Sequence, residues 1–124
     1  RSKAPGKGLI ALPGGFVNAN ERLVDAAVRE LQEETSIEMA PAQLYGSIQD
    51  DKQFDHPDRS LRGRIITTCF LFKLKDTYSL PKIKPQLSEV SKVYWLPVSK
   101  ALLDHSAWFE DHGHMFKTML GRLK

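Results

Sequence analysis

The segment from Gly15 to Ile37, GFVNANERLVDAAVRELQEETSI, constrains this chain more than any other. Just before it, Pro13-Gly14-Gly15 halts the short apolar run Leu9 to Leu12. Two adjacent glycines permit backbone conformations closed to other residues, so a tight turn is expected there. Phe16-Val17 follows as a brief extended piece. A helix is predicted from Glu21 to about Thr35. Asn20 is a suitable N-cap, Glu21 favours the positive end of the helix, and Val24, Ala27, Val28 and Leu31 recur as one buried stripe.

On that helix Glu30, Glu33 and Glu34 stand at i, i+3 and i+4 and share a face. At ~100° per residue, that face lies roughly a third of a turn from the apolar stripe. One side can therefore enter a core while the other presents three carboxylates beside a cleft. Like charges at this spacing cost ~0.2–0.5 kcal/mol per pair on an isolated helix. A hard cation that prefers oxygen ligands offsets that cost. Mg²⁺ is the natural candidate, with Mn²⁺ as an alternative. Such an ion bridges protein carboxylates and substrate phosphates, and lowers the pKa of a bound water.

The remainder of the sequence gives the frame. With 124 residues the chain is the size of one domain, and its composition is ordinary for a globular protein. No stretch approaches the ~20 apolar residues of a membrane span, so no membrane partner is expected. A net charge of +3 is too mild to argue for nucleic acid, yet suits a small anionic substrate. The single cysteine, Cys69, excludes an internal disulfide framework and reads as a buried thiol in a reducing, cytoplasmic setting.

Leu44 to Gln53 reads as a strand, Asp55 to Gly63 as a loop, and Arg64 to Lys75 as the strongest strand. Val90 to Val98 is a further strand ended at Pro97, with Trp95 in the core. Ser99 to Asp104 should form one or two helical turns. Ala107 to Leu123 should form a helix weakened at Gly113. Strands interleaved with helices give an α/β or α+β domain.

The Gly15 to Ile37 segment resembles the Nudix box, G-x5-E-x7-R-E-U-x-E-E-x-G-U, where U is a bulky aliphatic residue. Gly15, Glu21, Arg29, Glu30, Leu31, Glu33, Glu34 and Ile37 fit in register, eight of the nine specified positions. Glu33-Glu34 alone would read as a solvated acidic face; the whole pattern in register displaces that reading. The departure is Ser36 in place of Gly, just past the helix end, where a left-handed conformation suits Gly and serine costs on the order of 1 kcal/mol.

The resemblance implies the Nudix fold, an α/β/α sandwich with a mixed sheet. It implies that Glu30, Glu33 and Glu34 ligate the metal, that the Gly14 carbonyl adds a ligand, that Arg29 orients the carboxylates, and that Glu21 is structural. Phe54 to Thr67, FDHPDRSLRGRIIT, and Phe109-Glu110-Asp111-His112 extend the likeness to the Nudix domain of bifunctional proteins that join an NMN adenylyltransferase to an ADP-ribose pyrophosphatase. That implies hydrolysis of ADP-ribose to AMP and ribose 5-phosphate. The chain is then expected to be a fragment lacking an N-terminal strand and a preceding domain. Homo-oligomerisation is left open.

Arg59 and Arg62 are candidates to clamp a diphosphate or terminal ribose, against the alternative of a basic surface loop held by Asp55 and Asp58. Arg64, at a strand start, leans structural. Phe54 is a candidate to stack on adenine, with core packing as the stronger alternative. Glu89 is the leading general base by likeness to family members with a loop glutamate outside the box. Asp50 and Asp51 come after it. His56, His112 and His114 are further candidates by residue type, though a lone loop histidine more often serves as a solvated residue. Two other functions compete: sanitising of oxidised nucleoside triphosphates, and ADP-ribose sensing without catalysis.

Overall fold

The computed structural model describes residues 9–60, 62–63, 65–74, 80–85, 93–102 and 107–123. Within them the order is α1 (Leu23–Thr35), α2 (Pro41–Gly46), β1 (Ile48–Phe54), β2 (Thr67–Phe72), α3 (Val98–Ala101) and α4 (His112–Leu120).

Helix α1 begins two residues later than the sequence suggested. Its N-cap is Arg22, in extended conformation and without a side-chain cap. Asn20 does not cap it, because the Glu21 N–H donates to the Asn18 carbonyl and closes a turn through Ala19 and Asn20. Val28 is buried on the expected stripe, while Val24, Ala27 and Leu31 are half-buried; Ala26 and Thr35 are the other buried positions. The helix ends where Ser36 takes the left-handed conformation, φ 48°, and its N–H donates to the Gln32 carbonyl. Serine accepts that strain because the reversal returns Ile37 to the core beside Val28.

The segment around Leu44 is helix rather than strand. Pro41 occupies the first helical position, where its missing N–H costs nothing. The Gln43 side chain accepts the Ala40 N–H at 2.9 Å, which satisfies one orphan donor of the first turn. Leu44 is then 0% exposed, at the centre of a cluster with Val28 and Ile37. The strand starts only at Ile48.

Strands β1 and β2 pair antiparallel, Phe54 opposite Thr67 and Asp51 opposite Phe70, with an irregularity between Ile48 and Asp50. Side chains alternate faces along β2. Phe72 packs towards α1 with Val28 and Leu44, while Cys69 and Leu71 pack towards α4 with Phe54, Met115 and Met119. Helices thus cover both faces, the α/β/α layering that the sequence resemblance implies. A second pairing sense enters where Ile10 forms a parallel bridge with Trp108.

The C-terminal helix is shorter than its apolar pattern suggested. Residues 107–109 run alongside Ile10, and the chain turns at Glu110, φ 46°, before α4 starts at His112. Gly113 is a packing requirement rather than a weak point. A Cβ there would sit 3.0 Å from the Trp108 ring. The expected strand Val90–Val98 has its first residues outside the described set. Over 93–97 no strand forms, and the helical turns begin at Val98. Trp95 is not core: it is 42% exposed, and its indole N–H donates to the Pro81 carbonyl. Among the described residues no helix is long and apolar enough to cross a membrane.

Candidate active site

Arg29 is the hub of the box. Its Nε and one terminal nitrogen donate to the two oxygens of Glu21 at 2.8 and 2.9 Å. Its other terminal nitrogen donates to Glu30 Oε1 at 2.8 Å and Glu33 Oε2 at 3.2 Å. A further bond reaches the Phe16 carbonyl. One planar guanidinium thus fixes three carboxylates and the loop beside them, which its rigid fork of donors is suited to do. The Arg29 hydrogen bond holds the Glu21 carboxyl below its ordinary range, helped by the Asn18 N–H. Hydrogen bonds to Glu21 and then Glu30 push the Arg29 guanidinium further up, so it stays charged.

The tight turn expected at Pro13-Gly14-Gly15 is only a bend at Pro13, with neither glycine at positive φ, and the segment is laced to the same helix. The Gly14 N–H donates to Glu34 Oε2 at 3.0 Å. Gly15 lies so close to Glu30 that an added Cβ would stand 2.5 Å from Oε1. A side chain at position 15 would therefore displace the Glu30 carboxylate from the place where Arg29 holds it.

Glu30 is largely sheltered and Glu33 is half exposed. Arg29 engages one oxygen of each, and each keeps its second oxygen. Among the described residues no three His, Cys, Asp or Glu side chains already gather round one point. The arrangement is a row of carboxylates held in place, without a closed cage. All-oxygen donors in a row suit Mg²⁺ or Mn²⁺, which retain waters and take few protein ligands.

The loop after β1 folds against the start of α4. Arg59 is 4% exposed at its side chain. It donates to both oxygens of Asp111 at 2.9 and 2.8 Å, to the Ile65 carbonyl, and to the Met115 sulfur. Of the two readings open for Arg59, ligand clamp or structural loop, these bonds lie on the structural side. Arg62 likewise pairs with Glu110 at 2.9 Å and lies over the Phe109 ring. Burial works against ionisation of Glu110, but hydrogen bonds from Arg62 and Ser60 outweigh it and hold the carboxyl low. Among the described residues the acidic partners of Arg59 and Arg62 are Asp111 and Glu110, across the fold, rather than Asp55 and Asp58.

Phe54 is 7% exposed and belongs to the core with Met115 and Met119, which displaces the stacking reading. Its edge, met by His114, lines an open cleft of about 190 Å³ with Lys52, His56 and Arg59. His56 Nδ1 accepts the Asp58 N–H within the loop. Asp50 pairs with Arg122, and Asp51 follows it on the same strand. Arg64 and Glu89 lie outside the described residues. Sequence reasoning gave no role to Glu110 and Asp111. Two adjacent acids facing a loop with two arginines are a charge-complementarity signal that could have paired them.

A family model described as the NUDIX domain matches residues 1–119. The ADP-ribose pyrophosphatase of Methanocaldococcus jannaschii is 39% identical over 71 residues, which are 57% of this chain and 38% of that protein. A bifunctional NMN adenylyltransferase/ADP ribose pyrophosphatase from Francisella tularensis, solved with AMP and a manganese ion, superposes with a TM-score of 0.88 at 36% identity. That match takes in 98% of this chain and 36% of the other. The NUDIX domain of Shewanella oneidensis NrtR, solved with ADP ribose, gives a TM-score of 0.80 at 26% identity over 100% of this chain and 74% of that one. The chain thus spans little more than a third of the length of the first two proteins.

Proposed function

The chain belongs to the NUDIX family, and from that premise we propose that it hydrolyses the diphosphate of a nucleoside diphosphate derivative, ADP-ribose foremost, to AMP and ribose 5-phosphate. The observation that carries this reading is the carboxylate row of Glu30, Glu33 and Glu34, fixed by Arg29 and laced to Gly14 and Gly15. Water adds to one phosphorus, the bridging P–O bond breaks, and the water's protons end on solvent and the released phosphate.

A divalent cation, when bound, supplies neutralisation of phosphate charge and a more acidic water. The protein's own part is placement. Arg29 prevents Glu30 and Glu33 from swinging apart, and the Gly14 N–H does the same for Glu34. The close contact of Gly15 leaves room for backbone and nothing larger against Glu30. The M. jannaschii and F. tularensis relatives support ADP-ribose as substrate, and the latter supports Mn²⁺ alongside Mg²⁺. The same reading extends to a covalently linked NMN adenylyltransferase domain and to a cytoplasmic setting.

Incubation of the chain with ADP-ribose and Mg²⁺ or Mn²⁺ should release AMP, with 8-oxo-dGTP turned over far more slowly. Tight binding of ADP-ribose without AMP release would favour a sensor instead, and turnover of neither compound would sink the hydrolase reading. Gly15→Ala should cost about 100-fold in kcat/KM, the order expected when a catalytic group moves by about an ångström. Its melting temperature should change little, since the methyl meets a carboxylate rather than the core. Kinetics beside a melting curve test this, and wild-type kcat/KM in Gly15→Ala would contradict it.

A further inference from the structure

The chain reaches the carboxylate row along residues 10–12, and the way it is held there is unusual. The Ile10 N–H donates to the Ala107 carbonyl, and the Phe109 N–H donates to the Ile10 carbonyl, both at 2.7 Å. In a parallel ladder the next donor, the Leu12 N–H, would meet the Phe109 carbonyl. That carbonyl instead accepts the His112 N–H at 3.0 Å, because the chain has turned at Glu110. The Leu12 N–H donates to His112 Nδ1 at 2.9 Å, across a hundred residues of sequence. A side chain thus completes a ladder that the backbone abandons. Nδ1 can accept only in a ring whose proton sits on Nε2.

His112 is firmly presented for this task. The turn that delivers it is held by Glu110 against Arg62 and Ser60, and by Asp111 against Arg59. The Phe109 ring meets the imidazole edge-on at 5.2 Å. On the other side of the bond, Leu12 packs against Phe54, Met115 and Met119. Two residues further on, the Gly14 N–H reaches Glu34, and Gly15 abuts Glu30. The Pro13-Gly14-Gly15 segment thus meets the carboxylates directly after the Leu12 anchor.

We propose that His112 is a positioning residue of the hydrolase, whose Nδ1 substitutes for a strand carbonyl and fixes the Gly14–Gly15 segment against Glu30 and Glu34. The proposal rests on reading that row as the metal site. It gives the Arg59–Asp111 and Arg62–Glu110 pairs a part in the site: they hold the turn that aims the imidazole.

The test compares His112→Asn, whose Oδ1 can occupy the Nδ1 position, with His112→Leu and His112→Gln, which place no acceptor there. Two readouts are taken without substrate: Mn²⁺ binding followed by electron paramagnetic resonance, and the Gly14 amide resonance with Val28 as an internal reference. His112→Leu and His112→Gln should weaken Mn²⁺ binding about 10-fold or more, the scale of losing an outer-shell partner of a metal site. They should also shift the Gly14 resonance while Val28 stays in place. His112→Asn should restore both. Should His112→Leu fail to fold, His112→Gln carries the comparison. Unchanged Mn²⁺ binding and an unmoved Gly14 in the variants lacking the acceptor overturn the proposal, as does an Asn variant no better than Gln. If wild type itself takes up no Mn²⁺, the metal reading falls. The Gly14 resonance then decides the positioning role alone: moved by Gln and restored by Asn upholds it, and unmoved overturns it.

Discussion

Replacing Glu34 with Gln should lower kcat/KM for ADP-ribose about a thousandfold and leave the fold untouched. The separation of the two effects follows from the geometry. A glutamine carbonyl can still accept the Gly14 N–H that Glu34 Oε2 accepts at 3.0 Å, so the loop keeps its anchor. What disappears is a negative charge. Glu34 stands one turn from Glu30 and beside Glu33, and like-charge neighbours at this spacing destabilise a helix by ~0.2–0.5 kcal/mol per pair. The melting temperature should therefore stay level or rise slightly. A cation held by the row, by contrast, would lose an anionic ligand. Losing a metal's several kcal/mol of transition-state stabilisation, of order 4 kcal/mol, amounts to about three powers of ten in rate. Steady-state kinetics at saturating metal and a thermal melt measure the two sides. Retained turnover in Glu34→Gln would show that the row is not the site of chemistry.

The features legible in the sequence are those fixed by local periodicity. The carboxylate face of α1 and the left-handed strain at Ser36 depend on the helix alone, and the structure has both. Strand β2 was legible because buried sheet strands read as β-branched and aromatic runs, and its two faces now meet two different helices. The failures share a cause: contacts between distant segments. Leu44 looked like the start of a strand because the pull of Val28 and Ile37 on it cannot be seen along the chain. The helix from Ala107 was read too long because its pairing with Ile10 involves a residue nearly a hundred positions away. Trp95 was placed in the core by residue type, whereas its indole serves the Pro81 carbonyl at the surface. At the site, the box was visible and its support was not. Arg59 and Arg62 read equally as a ligand clamp or as a basic loop, and their true acidic partners were not legible, since Glu110 and Asp111 approach them only through the fold.

That pairing yields the largest stability effect expected in this chain. Arg59→Met should destabilise the domain by about 3–5 kcal/mol, the range for removing one partner of a buried ion pair. The side chain is 4% exposed and Asp111 is largely sheltered, so solvent cannot replace the lost partner. The substitution also removes the donor to the Ile65 carbonyl, which tethers the approach to β2. Asp111 is the N-cap of α4, so the loss spreads into the packing of Met115 and Met119 on Phe54. Every 1 kcal/mol is worth roughly 2–8 °C in a domain of this size, which makes the loss plain in a thermal melt. If Arg59 instead clamped the diphosphate, the same variant would melt normally and show only a raised KM. A second substitution sharpens the comparison. Arg59→Met combined with Asp111→Leu removes both charges, and a pair replaced whole by apolar side chains is often as stable as the original. The double variant should therefore be less destabilised than Arg59→Met alone. A double variant that loses the sum of the two single losses would show that the pair does not act as a unit, and that the loop is held by something other than the Arg59–Asp111 bridge.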